Sequence, residues 1–122
     1  MQEERVDEVG RKIELAWLTA FYGGLLTDKH RQVLTLHCEE DLSLAEIAQE
    51  AGVSRQGVHD MLTRAAQRLF DMEEKLGMAA RFRDMEDGLE KCRMLLKEKR
   101  YDEAEGVIDT LIRLDQEDNN GL

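Results

Sequence analysis

No proline occurs in the 122 residues, aromatic side chains make up only 5% of them, and cysteine appears twice. Without proline, no helix is forced to break or kink by a missing N–H. With so few aromatics, any core must rest on Leu, Ile, Val, Met and Ala. Cys38 and Cys92 each stand alone, outside any C-x-x-C, so a disulfide between them is the minor alternative. Reduced, buried thiols in a cytoplasmic protein are the expectation. No stretch approaches the ~20 apolar residues of a membrane span, and no N-terminal segment has the pattern of a signal peptide. No membrane contact is therefore expected. Strands have no support either, because no alternating run rich in β-branched residues is present.

Catalytic signatures are also missing. There is no G-x-x-x-x-G-K-[ST] and no H-E-x-x-H. His30 and His37 lie seven apart on one expected helix, with Cys38 adjoining His37. Two ligands without a third make a poor metal site, and a core or surface role outweighs it. Ser54 reads as a helix cap, not a nucleophile. A protein without enzymatic activity, cofactor or metal is expected.

What remains is helical composition. Hydrophobic residues reach 42% and charged residues 36%, with Leu, Ala, Glu, Lys and Arg prominent. The fold class is all-α, with about six helices, and the length suits one compact domain. Net charge is −10, which alone opposes binding to polyphosphates. The distribution is uneven. Residues 38–53 carry five acids and no base, and residues 82–122 carry twelve acids against seven bases. Residues 54–70 hold Arg55, Arg64 and Arg68 against the single acid Asp60.

Apolar spacing predicts a first helix over 6–22, facing the core with Val6, Val9, Ile13, Trp17 and Phe21, and ended by Gly23-Gly24. Thr27 caps a second helix bearing Val33, Leu34, Leu36 and Cys38. Ser43-Leu44-Ala45-Glu46 is a capping box that starts a third helix, ending near Gly52. Ser54 caps a fourth, running to Leu76 before Gly77. A fifth spans roughly 79–99 and a sixth roughly 102–115, with 118–122 as a frayed tail.

The segment 43–62, SLAEIAQEAGVSRQGVHDML, meets the demands of a helix-turn-helix. Ala48 is small where the two helices cross, Gly52 suits the turn, and Ile47, Val53, Val58 and Met61 supply apolar contacts. The second helix of such a unit offers its N-terminal residues to a major groove. Here those are Ser54, Arg55, Gln56, Gly57, His59 and Asp60, with Arg64 and Arg68 placed for phosphates. Arg55 has the fork to read guanine, and Gln56 can pair with adenine. Against this, the motif also serves as a plain structural hairpin. Arg55 is equally able to pair with Glu50 or Asp60, His59 to be a bystander, and Asp60 to repel phosphate. Duplex DNA suits the reading helix better than RNA does, because a B-form major groove admits it.

The run LSLAEIA…VSRQGV at 42–58, after LLTDKHRQVL at 25–34, resembles region 4 of sigma-70-type transcription factors. It resembles still more closely the YlxM family of small bacterial proteins, from about Val6 to Asp115. That resemblance implies a sigma region 4-like helix-turn-helix domain over 1–77, with its motif at 43–69, and a C-terminal helical extension over 78–122. It also implies a DNA-binding regulator linked, through gene neighbourhood, to the signal recognition particle pathway. The base-facing positions it implies are Arg55, Gln56, His59 and Asp60. Two residues depart from the family pattern: Gly57 stands where Ala is usual, and His59 where Tyr is usual. No segment like the polymerase-binding part of a sigma factor precedes residue 6, so action as a sigma factor alone is not expected. A second reading is a protein-interaction or RNA-protein accessory module of the targeting machinery, which the net charge favours.

The C-terminal helices carry two apolar stripes. One holds Met85, Leu89, Cys92, Leu95 and Leu96, and the other Ala104, Val107, Ile108, Leu111, Ile112 and Leu114, around a corner at Lys99-Arg100-Tyr101. The pattern also resembles a single tetratricopeptide-type hairpin, which cannot bury both faces alone. It must pack on the N-terminal unit, on a second copy or on another protein. A homodimer through these helices is expected, with Leu69, Phe70, Met72 and Phe82 as candidate contributors, and an intramolecular core with no partner is the alternative.

Overall fold

The structure, a computed structural model, describes the backbone of residues 2–120 and the side chains of residues 7–116. The described residues form six α-helices and one short 3-10 turn, without a strand: α1 (Gln2–Tyr22), the 3-10 turn Gly23–Leu25, α2 (Asp28–Cys38), α3 (Leu44–Ala51), α4 (Arg55–Leu76), α5 (Met78–Lys97) and α6 (Tyr101–Asn120). The fold is all-α. No described helix is long and apolar enough to cross a membrane. The chain divides into two compact units, Met1–Ala79 and Ala80–Leu122.

Local chemistry sets most helix ends in the first unit. The Thr27 hydroxyl accepts from the His30 N–H at 3.2 Å. At α3 both halves of the capping box form, the Ser43 hydroxyl taking the Glu46 N–H and the Glu46 carboxylate taking the Ser43 N–H, each at 3.1 Å. Gly52 and Gly77 close α3 and α4 at φ of 71° and 62°, where a Cβ would be strained.

Two apolar clusters build this unit. Val33 and Leu36 of α2, Ile47 and Ala51 of α3, and Val58 of α4 form one. Leu15, Leu18 and Tyr22 of α1, with Leu26, Leu34, Ala65, Ala66, Leu69 and Ala79, form the other. Helix α2 lies between them, and the long α4 reaches from one to the other.

The phase of α1 differs from the sequence expectation. Val9 and Ile13 are exposed, while Leu15, Leu18 and Tyr22 are buried and Trp17 and Phe21 are half-buried. The side chain of Val6 lies outside the described residues. The 3.6-residue period is as read, but α1 has apolar residues on more than one face, and what it packs on selects among them. Leu69 is fully buried in the second cluster, with Phe70 and Met72 packed against it. It is therefore unavailable to a partner, contrary to the expectation. Helix α6 runs on through Asn120, beyond the expected end near residue 115. Of the supposed frayed tail, Gly121 and Leu122 lie outside the described residues.

In the second unit α5 and α6 form an antiparallel hairpin. Lys99 turns the corner at φ 60°, and the Arg100 N–H returns to the Leu95 carbonyl at 2.9 Å. Cys92, Leu95, Ala104 and Leu111 are buried. Each expected stripe is split: these residues pack between the helices, while Leu89, Leu96, Ile108 and Ile112 stay exposed.

Candidate nucleic-acid interface

The helix-turn-helix consists of α3, the turn at residues 52–54, and α4. The Gly52 and Val53 N–H groups both reach the Ala48 carbonyl, at 3.0 and 3.1 Å. Lys29 on α2 donates its ammonium to the Ala51 carbonyl at the C-terminal end of α3. That is a favourable place for a cation, because the carbonyl ends of the helix are otherwise unsatisfied. No local sequence signal pairs residues this far apart, and the contact was not foreseen.

Ser54 starts α4, its hydroxyl accepting from the Gly57 N–H at 2.9 Å. Val58, one turn in, has no exposed surface, so it locks the rotation of α4 about its axis. With Val58 inward, Ser54, Arg55, Gln56, His59, Asp60, Arg64 and Arg68 are all exposed. Gly57 is half-buried, and a Cβ there would sit 3.1 Å from the Ser54 hydroxyl oxygen.

The side chains do not form one stripe. Arg64 lies nine residues beyond Arg55, about half a turn around the helix at 3.6 residues per turn. Arg55 and His59 flank one side of the exposed face, and Arg64 and Arg68 the other. Between them run Gln56 and Asp60, then Gln67 and Asp71. The Gln56 amide donates to Asp60 Oδ1 at 3.0 Å, and the Gln67 amide to Asp71 Oδ1 at 2.9 Å. His59 Nδ1 lies 3.7 Å from the same Asp60 oxygen.

Asp60 therefore engages Gln56 and His59, and Arg55 pairs with neither Glu50 nor Asp60. Among the described residues no ion pair engages Arg55, Arg64 or Arg68. A carboxylate only accepts, so the Gln56 nitrogen must face Asp60. Its carbonyl oxygen and second N–H are left for a base edge, the pair of groups that adenine matches.

His30 and His37 build no metal site with Cys38. Among the described residues no three His, Cys, Asp or Glu side chains come together to hold a metal. His37 is half-buried, with its Nδ1 enclosed and without a hydrogen-bond partner. Burial, helped by Lys12, lowers its pKa from the ordinary 6.5. Both cysteines are free thiols. Burial pushes the Cys38 thiol up, and the Cys92 thiol lies 3.6 Å from the Ala104 carbonyl.

Residues 9–108 match the family model described as "Putative helix-turn-helix protein, YlxM / p13 like". That span is somewhat narrower than the Val6–Asp115 of the sequence resemblance. The chain is 37% identical over 101 residues to a UPF0122 protein of Bacillus cereus strain Q1, covering 81% of this chain and 92% of that one. A UPF0122 protein of Bacillus anthracis strain A0248 gives the same figures, 37% over 101 residues with 81% and 92% covered. A UPF0122 protein of Desulforamulus reducens is 49% identical over 65 residues, 53% of this chain. That match spans little more than half of the Desulforamulus protein, 56% of its length. Turn, cap, buried faces and family match agree: the chain belongs to the YlxM/p13-like helix-turn-helix family, UPF0122.

Proposed function

We propose that this chain is a DNA-binding regulatory protein that acts by binding rather than catalysis, with the first turns of α4 entering the major groove of duplex DNA. The observation that carries this reading is the orientation of α4. Val58 is fully buried, and the residues around it that suit base and phosphate contact are exposed. A helix inserted in a groove meets phosphates on both walls. Arg55 on one flank, and Arg64 and Arg68 on the other, match that need. The free N–H groups at the start of α4 add a favourable site for a phosphate oxygen. Gln56, oriented by Asp60, supplies a contact able to tell one base from another.

Fluorescence anisotropy with a randomised duplex pool at low salt tests this. Binding is expected, and Arg55→Ala is expected to weaken it by ~1–3 kcal/mol if Arg55 reads a base. Absence of binding across the pool at low salt overturns the reading.

A second reading is favoured by the net charge of −10. In it the chain is an accessory module of the protein-targeting machinery, docking on a basic component of the signal recognition particle while the helix-turn-helix serves as scaffold. Affinity capture that recovers no ribonucleoprotein component counts against it. Binding selection from mixed DNA and RNA pools separates the two readings.

A further inference from the structure

The C-terminal hairpin has a third apolar surface that packing between its own helices does not use. On α5, Leu89 and Leu96 lie seven residues apart and are 55% and 50% exposed. On α6, Tyr101, Ile108 and Ile112 are 60%, 43% and 52% exposed. Helical geometry puts each set about a quarter turn from the buried residues of its own helix, in the same rotational sense. The helices are antiparallel, so the same sense places both sets on one side of the hairpin. These five side chains form one exposed apolar face.

We propose that this face is the contact surface for a second copy of the chain, two hairpins closing face to face into a four-helix bundle. The seven-residue spacing of Leu89 and Leu96 is one that packs helix against helix. The charges along the face select the occupant and the arrangement. Contacts between Gly88 and Leu111, and between Cys92 and Ala104, set the level of α5 against α6. The outer edge of the face on α6 carries Asp102, Glu105 and Asp109. A two-fold axis across the helices lays this acidic edge on itself. An axis along the helices sets α5 of one copy against α6 of the other instead. Arg93 and Lys97 of one copy then lie level with Glu105 and Asp102 of the other, and Glu86 lies level with Arg113. The existing Arg93–Glu90 pair, at 2.6 Å, is exposed and costs little to give up. By the same levels Glu90 meets Asp109, one like-charge contact against three attractive ones, so the surface is on balance complementary to itself, as an isologous interface must be. This inference does not depend on DNA binding.

Sedimentation equilibrium of the full chain at micromolar concentration is the test. The expected particle has twice the 14.1 kDa chain mass. Leu89→Glu combined with Ile108→Glu is expected to return it to the single-chain mass with unchanged far-UV circular dichroism. Met94→Glu, on the opposite side of α5, is expected to leave the dimer intact. Arg93→Glu is expected to weaken association several-fold, and adding Glu105→Arg to restore it. A single-chain mass for the unaltered protein overturns the proposal, whatever other protein it captures. So does a dimer that survives the paired glutamates or is lost with Met94→Glu. Failure of the charge swap to restore association overturns the arrangement of α5 against α6.

Discussion

Tyr22 does work that its aromatic character does not announce. It is 1% exposed in the core, yet its hydroxyl donates to Glu73 Oε1 at 2.6 Å and accepts from the Met78 N–H at 3.0 Å. The same Glu73 oxygen accepts from the Ala79 N–H at 3.1 Å. Together Tyr22 and Glu73 satisfy the first N–H groups of α5, just past the turn at Gly77. Burial, with the neighbouring carboxylate, raises the phenol pKa and keeps this donor protonated. Tyr22→Phe keeps the ring but removes the acceptor of the part-buried Met78 N–H and weakens the hold on a carboxylate. It is expected to destabilise the protein by about 1–3 kcal/mol in urea denaturation, and a change near zero would show that water replaces the hydroxyl. His37 yields a second prediction at this scale. Its pKa is lowered in the fold, chiefly by burial, so below the ordinary value of 6.5 the unfolded chain takes the proton first. The stability tied to neutral His37 is complete above that value and is lost as pH falls toward the folded pKa. His37→Gln is expected to flatten the fall of the urea midpoint just below pH 6.5, and an unaltered slope would assign the fall to other groups.

Elements were legible in the sequence where the signal is local. Thr27, Ser43, Ser54, Gly52 and Gly77 each act within four residues, and each sits where its chemistry requires. The helix-turn-helix was legible because turn, crossing and apolar contacts fall within one short segment. The phase of α1 was not, since Val9 and Ile13 compete with Leu15 and Leu18 on a helix whose partners lie tens of residues away. The Gln56–Asp60 bond has an i, i+4 spacing that was there to be read; Asp60 was weighed as a partner of Arg55, as a base-facing residue and against phosphate, but not as a partner of Gln56. Gly88 was also passed over. A Cβ built there lies 2.5 to 2.9 Å from three Leu111 side-chain carbons. Gly88→Ala gains about 1 kcal/mol of helix propensity but displaces a side chain buried between α5 and α6, which costs about 1–3 kcal/mol. A net loss of stability is expected. Leu111→Ala in the same chain is expected to cost less than in the unaltered protein, because the clash goes with it. Strict additivity in this double-mutant cycle would remove the close-contact account of Gly88.

For the whole molecule, the proposed function raises the question of how a chain of net charge −10 would approach a polyanion. The arrangement answers by segregation: Arg55, Arg64 and Arg68 project from α4, while acidic residues predominate from residue 82 onward. Three cations are few, and that makes the proposed binding countable. Each phosphate neutralised contributes about −0.9 to the slope of log Kobs against log salt on duplex DNA. If all three arginines meet phosphates, one copy gives a slope of about −3; a dimer reading two half-sites gives about −5. Removing Arg64 with Arg68 is expected to reduce the slope by about 2 per bound copy, uniformly across sequences. Removing Arg55 alone, if it reads a base, is expected to lower affinity for preferred sites while leaving the slope nearly unchanged. A salt titration with the two variants thus separates groove-wall contacts from base reading and reports how many copies bind. A slope unmoved by loss of Arg64 and Arg68 would show that α4 does not lie between the two phosphate walls.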